Sequence, residues 1–435
     1  MQSMKLPPGS FGWPVVGETL AFLRDPRFVQ ERQQRYGNVF KTHLIGKPTV
    51  FLFGAEANQF VLSNENKLFV VGWPPSTRAL LGVNSLALQT GSTHTQRRKL
   101  LAQAFQPRAL AGYLPTMLAI AEEYCQRWCA QGAFAWYPEL RQYTFDVAGA
   151  LLVGTDRAAT GELGHLFETW SGGLFALPFN LPWTAFGQAL RARDRLLQYI
   201  ETMVQQRRST PNPGTDALGI LVSATDEDGQ QLSITELNEQ VQLLLFAGHE
   251  TLTSAIAGFC LLLAQHPAVK AKARAEQQAI GGDITPETLK EMAYLEAVIQ
   301  ETLRCIPPVG GGFRETLADC TWQDYTIPKG WTVLYHIATT HTLPDLYPHP
   351  GAFDPDRFLV EKRPKPFGYV PFGGGLRECL GKEFARLEMK AFGAHLLRHY
   401  EWELPPDGDS TLILNPTPHP KDNLRIHFSR LISQT

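Results

Sequence analysis

The ten residues Phe372-Gly-Gly-Gly-Leu-Arg-Glu-Cys-Leu-Gly381 decide how this chain is read. Four glycines among them suit a loop whose backbone takes left-handed angles or lies close against a flat surface. Behind the loop, Phe384, Leu387, Glu388, Ala391, Phe392 and His395 recur at three- and four-residue spacing, which predicts a helix. Cys379 thus stands just ahead of a helix N-terminus, where free N–H groups and the dipole favour thiolate over thiol. A thiolate on a glycine loop serves as a nucleophile, a redox centre or a metal ligand. A lone cysteine is more often buried and inert, and the loop alone leaves all of these open.

The chain has 435 residues, 44% hydrophobic and 19% charged, the composition of a large buried core rather than of disorder. Its net charge of −2, with no basic run, offers nucleic acid nothing to bind. The six cysteines are scattered, and Cys125 and Cys129 have no histidine at zinc spacing. Reduced thiols in a soluble, cytoplasmic protein are expected. Residues 1–9 lack an apolar run, so neither a signal peptide nor a membrane anchor is expected.

Residues 7–17 read as an extended lead-in, 18–36 as a helix, and Asn38–Leu44 with Thr49–Phe53 as a hairpin. Residues 66–90 read as irregular. Residues 108–207 read as mostly helical, interrupted near Gly172-Gly173 and by the uncharged patch Leu174–Trp183. Ser233-Ile-Thr-Glu236 is a capping box opening a helix that runs to His266. At about 50 Å that helix could cross a bilayer. His249 and Glu250 near its middle are costly in lipid, which favours a buried central helix and no membrane span. Two more helices are expected over 283–305, and a small sheet from Cys320–Ile327 and Trp331–Ile337.

Three further motifs accompany the glycine loop: Ala247-Gly-His-Glu-Thr251, Glu301-Thr-Leu-Arg304 and Phe353-Asp-Pro-Asp-Arg-Phe358. Taken singly they are ordinary. A mid-helix Thr bonds back to its own turn, and an i,i+3 Glu/Arg pair is usually a solvated ion pair of little worth. In this order, with Phe-x-x-Gly-x-Arg-x-Cys-x-Gly, they resemble the cytochrome P450 family, and the lead-in and hairpin extend the likeness over nearly the whole chain.

That resemblance implies one domain over residues 1–435, mainly α with small β-sheets, holding haem b (iron protoporphyrin IX), with no reductase fused after Cys379. Cys379 becomes the axial thiolate, with Phe372, Gly375 and Ala247 beside the haem. His94, Arg98, Arg314 and Arg377 fall on its propionates, a task that suits charge-assisted guanidinium bonds. Glu250 relays protons, Thr251 hydrogen-bonds the activated oxygen, and Gly248 leaves room for dioxygen. Glu301, Arg304 and Arg357 form a structural network behind the cysteine loop. The implied activity is monooxygenation of an apolar substrate: hydroxylation, or epoxidation of a C=C. A ferredoxin or flavodoxin with its reductase supplies electrons, steered by Arg97, Lys99, Lys382, Arg386 and Lys390.

Pro307-Pro-Val-Gly-Gly-Gly-Phe-Arg314 and Phe246-Ala-Gly-His-Glu-Thr251 are similar to the retinoic-acid-hydroxylating branch, so a retinoid is the expected substrate class. Trp73, Arg78, Phe175, Phe179, Val309, Gly311 and Phe313 are the expected substrate contacts, the glycine triplet widening the pocket. Two rival functions are a haem-thiolate isomerase or peroxygenase that needs no reductase, and a non-enzymatic lipophile-binding protein.

Overall fold

The computed structural model describes residues 5–14, 17–359, 364–414 and 417–431. Its axis is the 32-residue helix Ile234–Gln265. The Ser233 hydroxyl accepts the Glu236 N–H and the Glu236 carboxylate accepts the Ser233 N–H, so the capping box forms. Among the described residues this is the one helix long and apolar enough to cross a membrane, and 72% of its most apolar window is buried inside the protein. It is covered by the helices Trp136–Ala148, Ala185–Ser209 and Ala293–Cys305.

Trp128, Trp136, Trp170 and Trp402 are fully buried in the core around it. The Trp402 indole N–H donates to the Cys260 carbonyl at 3.0 Å, so the ring brings apolar area without stranding its polar atom. The helix Lys382–His399 follows the cysteine loop and packs on the long helix Pro107–Gln131.

The β-rich side is a five-stranded sheet in the order Val39–Leu44, Lys47–Leu52, Thr332–His336, Gly311–Thr316, Phe69–Val71. Its second and third strands run parallel; the other neighbours are antiparallel. The first hairpin turns on Ile45 and Gly46, both with positive φ (52° and 76°), the twist that a tight two-residue turn requires.

Four local expectations give way. Residues 18–36 form two helices, Thr19–Arg24 and Phe28–Tyr36, because Pro26 between them cannot continue the first. Residues 66–90 hold the edge strand Phe69–Val71 and the helix Pro75–Leu81. The second of the helices over 283–305 is Ala293–Cys305, but the first is only Thr288–Glu291. Cys320–Trp322 pairs with Tyr325–Ile327 in a separate hairpin, while Thr332–His336 joins the large sheet.

Candidate functional site

The cysteine loop closes on itself through the Cys379 N–H, which donates to the Phe372 carbonyl at 2.9 Å. Gly375 has φ +64°, and a Cβ there would lie 2.4 Å from the Leu62 carbonyl oxygen, so only glycine fits. Cys379 is set among protein atoms on most sides yet keeps an exposed face. Burial pushes its thiol above the ordinary value, and the Gly381 N–H, Arg98 and Lys382 offset this only in part. The pull of the helix terminus and the two cations toward the thiolate is thus opposed by burial, and coordination to a metal ion makes the thiolate directly.

Along the middle of the buried central helix, Leu243, Phe246, Ala247, Gly248 and Thr251 keep accessible surface while their neighbours are buried. Their three- and four-residue spacing puts them on one face, which therefore lines an internal cleft. Thr251 donates its hydroxyl to the Ala247 carbonyl at 2.8 Å, the back-bonded state. The Cβ that Gly248 lacks would meet Leu152 Cδ1 at 3.1 Å, so a larger residue there would press on that side chain.

Glu250 turns toward the helix Trp136–Ala148. It is buried and accepts from Arg141 at 2.9 Å, and the other terminal nitrogen of Arg141 donates to Glu168 at 2.7 Å. Burial works against the charge of Arg141, but Glu250 and Glu168 outweigh it and raise its pKa. A cleft of 390 Å³ lined by Arg141, Gln142, His165, Phe167 and Glu168 lies alongside. His249 is buried and held well below its usual pKa by desolvation and by Arg141. Its Nδ1 sits 2.9 Å from the Thr144 hydroxyl, which also bonds Thr253.

A second cluster gathers beside the cysteine loop. Arg98 donates to the Glu378 carbonyl at 2.6 Å. Arg377 donates to the Gln89 carbonyl at 2.5 Å and to Glu65 at 2.5 Å, and Arg314 donates to the same Glu65 at 2.7 Å. Buried His94 is pushed down to about 4 by desolvation and by the charges of Arg377 and Arg98, so it stays neutral.

Glu301 and Arg304, both 0% exposed, meet in a bidentate pair at 2.7 Å. Arg357 and the Asp354 N–H also donate to Glu301, at 3.0 and 2.9 Å. Arg304 further donates to the carbonyls of His341, Pro350 and Ala352. One buried guanidinium thereby ties the helix Ala293–Cys305 to the segment leading into the cysteine loop.

The expected substrate contacts scatter. Phe175 and Phe179 stand 56% and 62% exposed on the surface, and Arg78 is exposed on its helix. Phe313 packs against the hairpin core with Phe22 and Tyr36. The absent Cβ atoms of Gly311 and Gly312 would strike Tyr335 at 2.6 and 2.4 Å, so those glycines admit a neighbouring strand and do not widen a pocket. Trp73 is half-buried, its indole N–H on the Ala87 carbonyl, and Val309 is 44% exposed.

Glu65, Arg141 and Glu168 carry no signal in the sequence. Each is a single charge on a segment without a motif, and only the fold brings it to its partners. A flat cofactor with two carboxylates and a metal fits the residues present: an exposed sulfur on a loop without obstructing side chains, and a cluster of guanidiniums beside it.

The profile of the family described as cytochrome P450 matches residues 7–426. The chain is 50% identical to cytochrome P450 120 of Synechocystis over 99% of its length and 98% of that protein's. It is 38% identical to cytochrome P450 26A1 of Xenopus laevis, covering 97% of this chain and 90% of the relative. Among solved structures, retinoic acid-bound cyanobacterial CYP120A1 superposes with a TM-score of 0.94 at 51% identity, covering 99% of this chain and all of that one.

Proposed function

The chain belongs to the cytochrome P450 family, and from that premise we propose that it holds haem b on Cys379 and oxidises a retinoid carboxylic acid. Members of the family bind haem iron, so the chain is a haem-thiolate monooxygenase that uses dioxygen, an apolar substrate and a redox partner. The observation that carries the retinoid reading is the retinoic acid bound in a structure 51% identical over 99% of this chain.

Bound haem supplies the activation of dioxygen with two electrons. The chain's residues supply the surroundings, acting as one domain. Cys379 holds the iron, and His94, Arg98, Arg314 and Arg377 hold the haem carboxylates. Phe372, Gly375 and Ala247 would stand beside the bound haem. The stripe Leu243, Ala247 and Thr251 borders the reaction chamber. Glu250 takes protons from the cleft beside Arg141 and Glu168, exchanging its ion pair with Arg141 for a proton. Thr251 turns its hydroxyl from the Ala247 carbonyl toward the chamber to hold the last proton of that path.

Electrons come from a ferredoxin or flavodoxin. The five cations expected to steer it are already engaged within the chain: Arg97 with Glu236, Lys99 with Glu227, Lys382 with Glu378, and Arg386 and Lys390 with Glu296. Steering is correspondingly weak.

Titrating the ferric holoprotein with retinoic acid tests the substrate class. The expected result is a Soret shift marking loss of haem-bound water, followed by a hydroxylated or epoxidised retinoid when reduced ferredoxin is added. No shift with retinoic acid, in a preparation that shifts with a fatty acid, rules the retinoid out.

A further inference from the structure

Glu65 lies between the helix Ala55–Leu62 and the edge strand Phe69–Val71 and is 4% exposed. A carboxylate this deep persists only when both oxygens are satisfied. Its Oε2 accepts from Arg314 Nε at 2.7 Å and its Oε1 from Arg377 Nε at 2.5 Å. The two arginines come from different parts of the fold: Arg314 from the strand Gly311–Thr316, Arg377 from the turn Gly375–Arg377 just before Cys379.

Each arginine uses one more nitrogen on a backbone carbonyl, Arg314 on Phe313 at 3.0 Å and Arg377 on Gln89 at 2.5 Å. One terminal nitrogen of each guanidinium then has no hydrogen bond among the described residues. Glu65 thus grips both forks by the Nε side and fixes the direction in which their remaining N–H groups point.

The charges agree with a particular occupant. Arg98, Arg314 and Arg377 bring three positive charges and Glu65 one negative, while His94 stays neutral. Two positive charges remain in a largely buried cluster, the complement of two ionised carboxylates on one ligand.

We propose that Glu65 is the positioning residue that sets Arg314 and Arg377 as the clamp for the haem carboxylates and trims the clamp's charge to match them. It touches neither iron nor substrate and acts through the two arginines. The assignment rests on the reading above that these arginines hold the haem.

The experiment compares wild-type, Glu65→Gln and Glu65→Asp holoproteins by haem transfer to excess apomyoglobin and by the ferric/ferrous midpoint potential. Loss of a partner behind a ligand-holding group typically weakens binding about tenfold or more, so Glu65→Gln is expected to release haem about tenfold faster. Its potential moves positive, because a buried negative charge near the iron is gone. Glu65→Asp keeps the charge and stays close to wild type in both readouts.

A purely structural tie would lower the urea midpoint of Glu65→Gln while its haem release and potential stayed at wild-type values. That result overturns the proposal, as does a Glu65→Asp variant that loses haem as fast as Glu65→Gln. Glu65→Gln that purifies without haem while the other two retain it supports the proposal. Wild-type protein that fails to take up haem strikes the underlying reading instead, whereas loaded wild type with two indifferent variants strikes Glu65 alone.

Discussion

Arg304→Lys keeps the charge and removes the geometry. The guanidinium donates to both oxygens of Glu301 and to three carbonyls, those of His341, Pro350 and Ala352, with no solvent exposure. An ammonium has three protons, so at least two of these five acceptors lose their donor. The Pro350 and Ala352 carbonyls lie where water can replace the donor, so about one buried acceptor is left unsatisfied, at about 1–3 kcal/mol, which puts the substitution at roughly 2 kcal/mol. Against the usual total stability of about 5–15 kcal/mol, that is a large fraction. At 1.4 kcal/mol per decade it raises the unfolded population about thirtyfold.

Urea unfolding followed by tryptophan fluorescence reads this as a lower midpoint at unchanged slope. A second variant separates the ion pair from the carbonyls. Replacing a buried pair by apolar residues is often neutral, so Glu301→Leu/Arg304→Leu would recover if the pair were all that mattered. The structure predicts that it stays destabilised, because three carbonyls still lack their donor. An Arg304→Lys midpoint corresponding to less than about 1 kcal/mol, or full recovery in the double variant, would refute the reasoning.

Two other perturbations follow from the geometry. Thr251→Ala removes the hydroxyl now resting on the Ala247 carbonyl; product formation is expected to fall at least about tenfold, with electrons diverted to hydrogen peroxide, as read by the ratio of product to reductant consumed. Burial holds His336 at about 4 and His341 at about 3, and each accepts a backbone N–H, from Thr339 and Val370, that protonation would displace. The unfolded chain takes these protons near 6.5, so below that pH the unfolded state binds more of them and stability falls as the pH drops. The loss approaches roughly 3 kcal/mol per histidine by pH 4, and a urea midpoint that stayed level from pH 7 to 4.5 would contradict it.

What could be read along the chain was what is written contiguously. The cysteine loop, the Ser233 capping box and the Glu301/Arg304 pair each lie within one turn or one loop, so spacing alone carries them. Glu65 and Arg141 escape such reading, because a lone charge in a turn or on a helix looks like any solvated residue until its partners arrive from elsewhere. Glycine proved the least legible. Gly311, Gly312 and Gly248 signal that something sits close, but only the fold shows that the neighbours are Tyr335 and Leu152. Aromatic residues are ambiguous in another way: Phe313 packs against the hairpin core, while Phe175 and Phe179 are exposed, and type alone does not separate the two.

The cleft beside Arg141 and Glu168 shares none of its lining residues with the accessible stripe of the central helix. Arg141 lines that cleft and pairs with Glu250 on the helix that carries the stripe. On the function proposed above, protons reach Glu250 from the side of Arg141, not from the side of Leu243, Ala247 and Thr251. In that reading a long hydrocarbon guest along the stripe would leave the acid's supply of protons untouched, because the two use opposite sides of the helix.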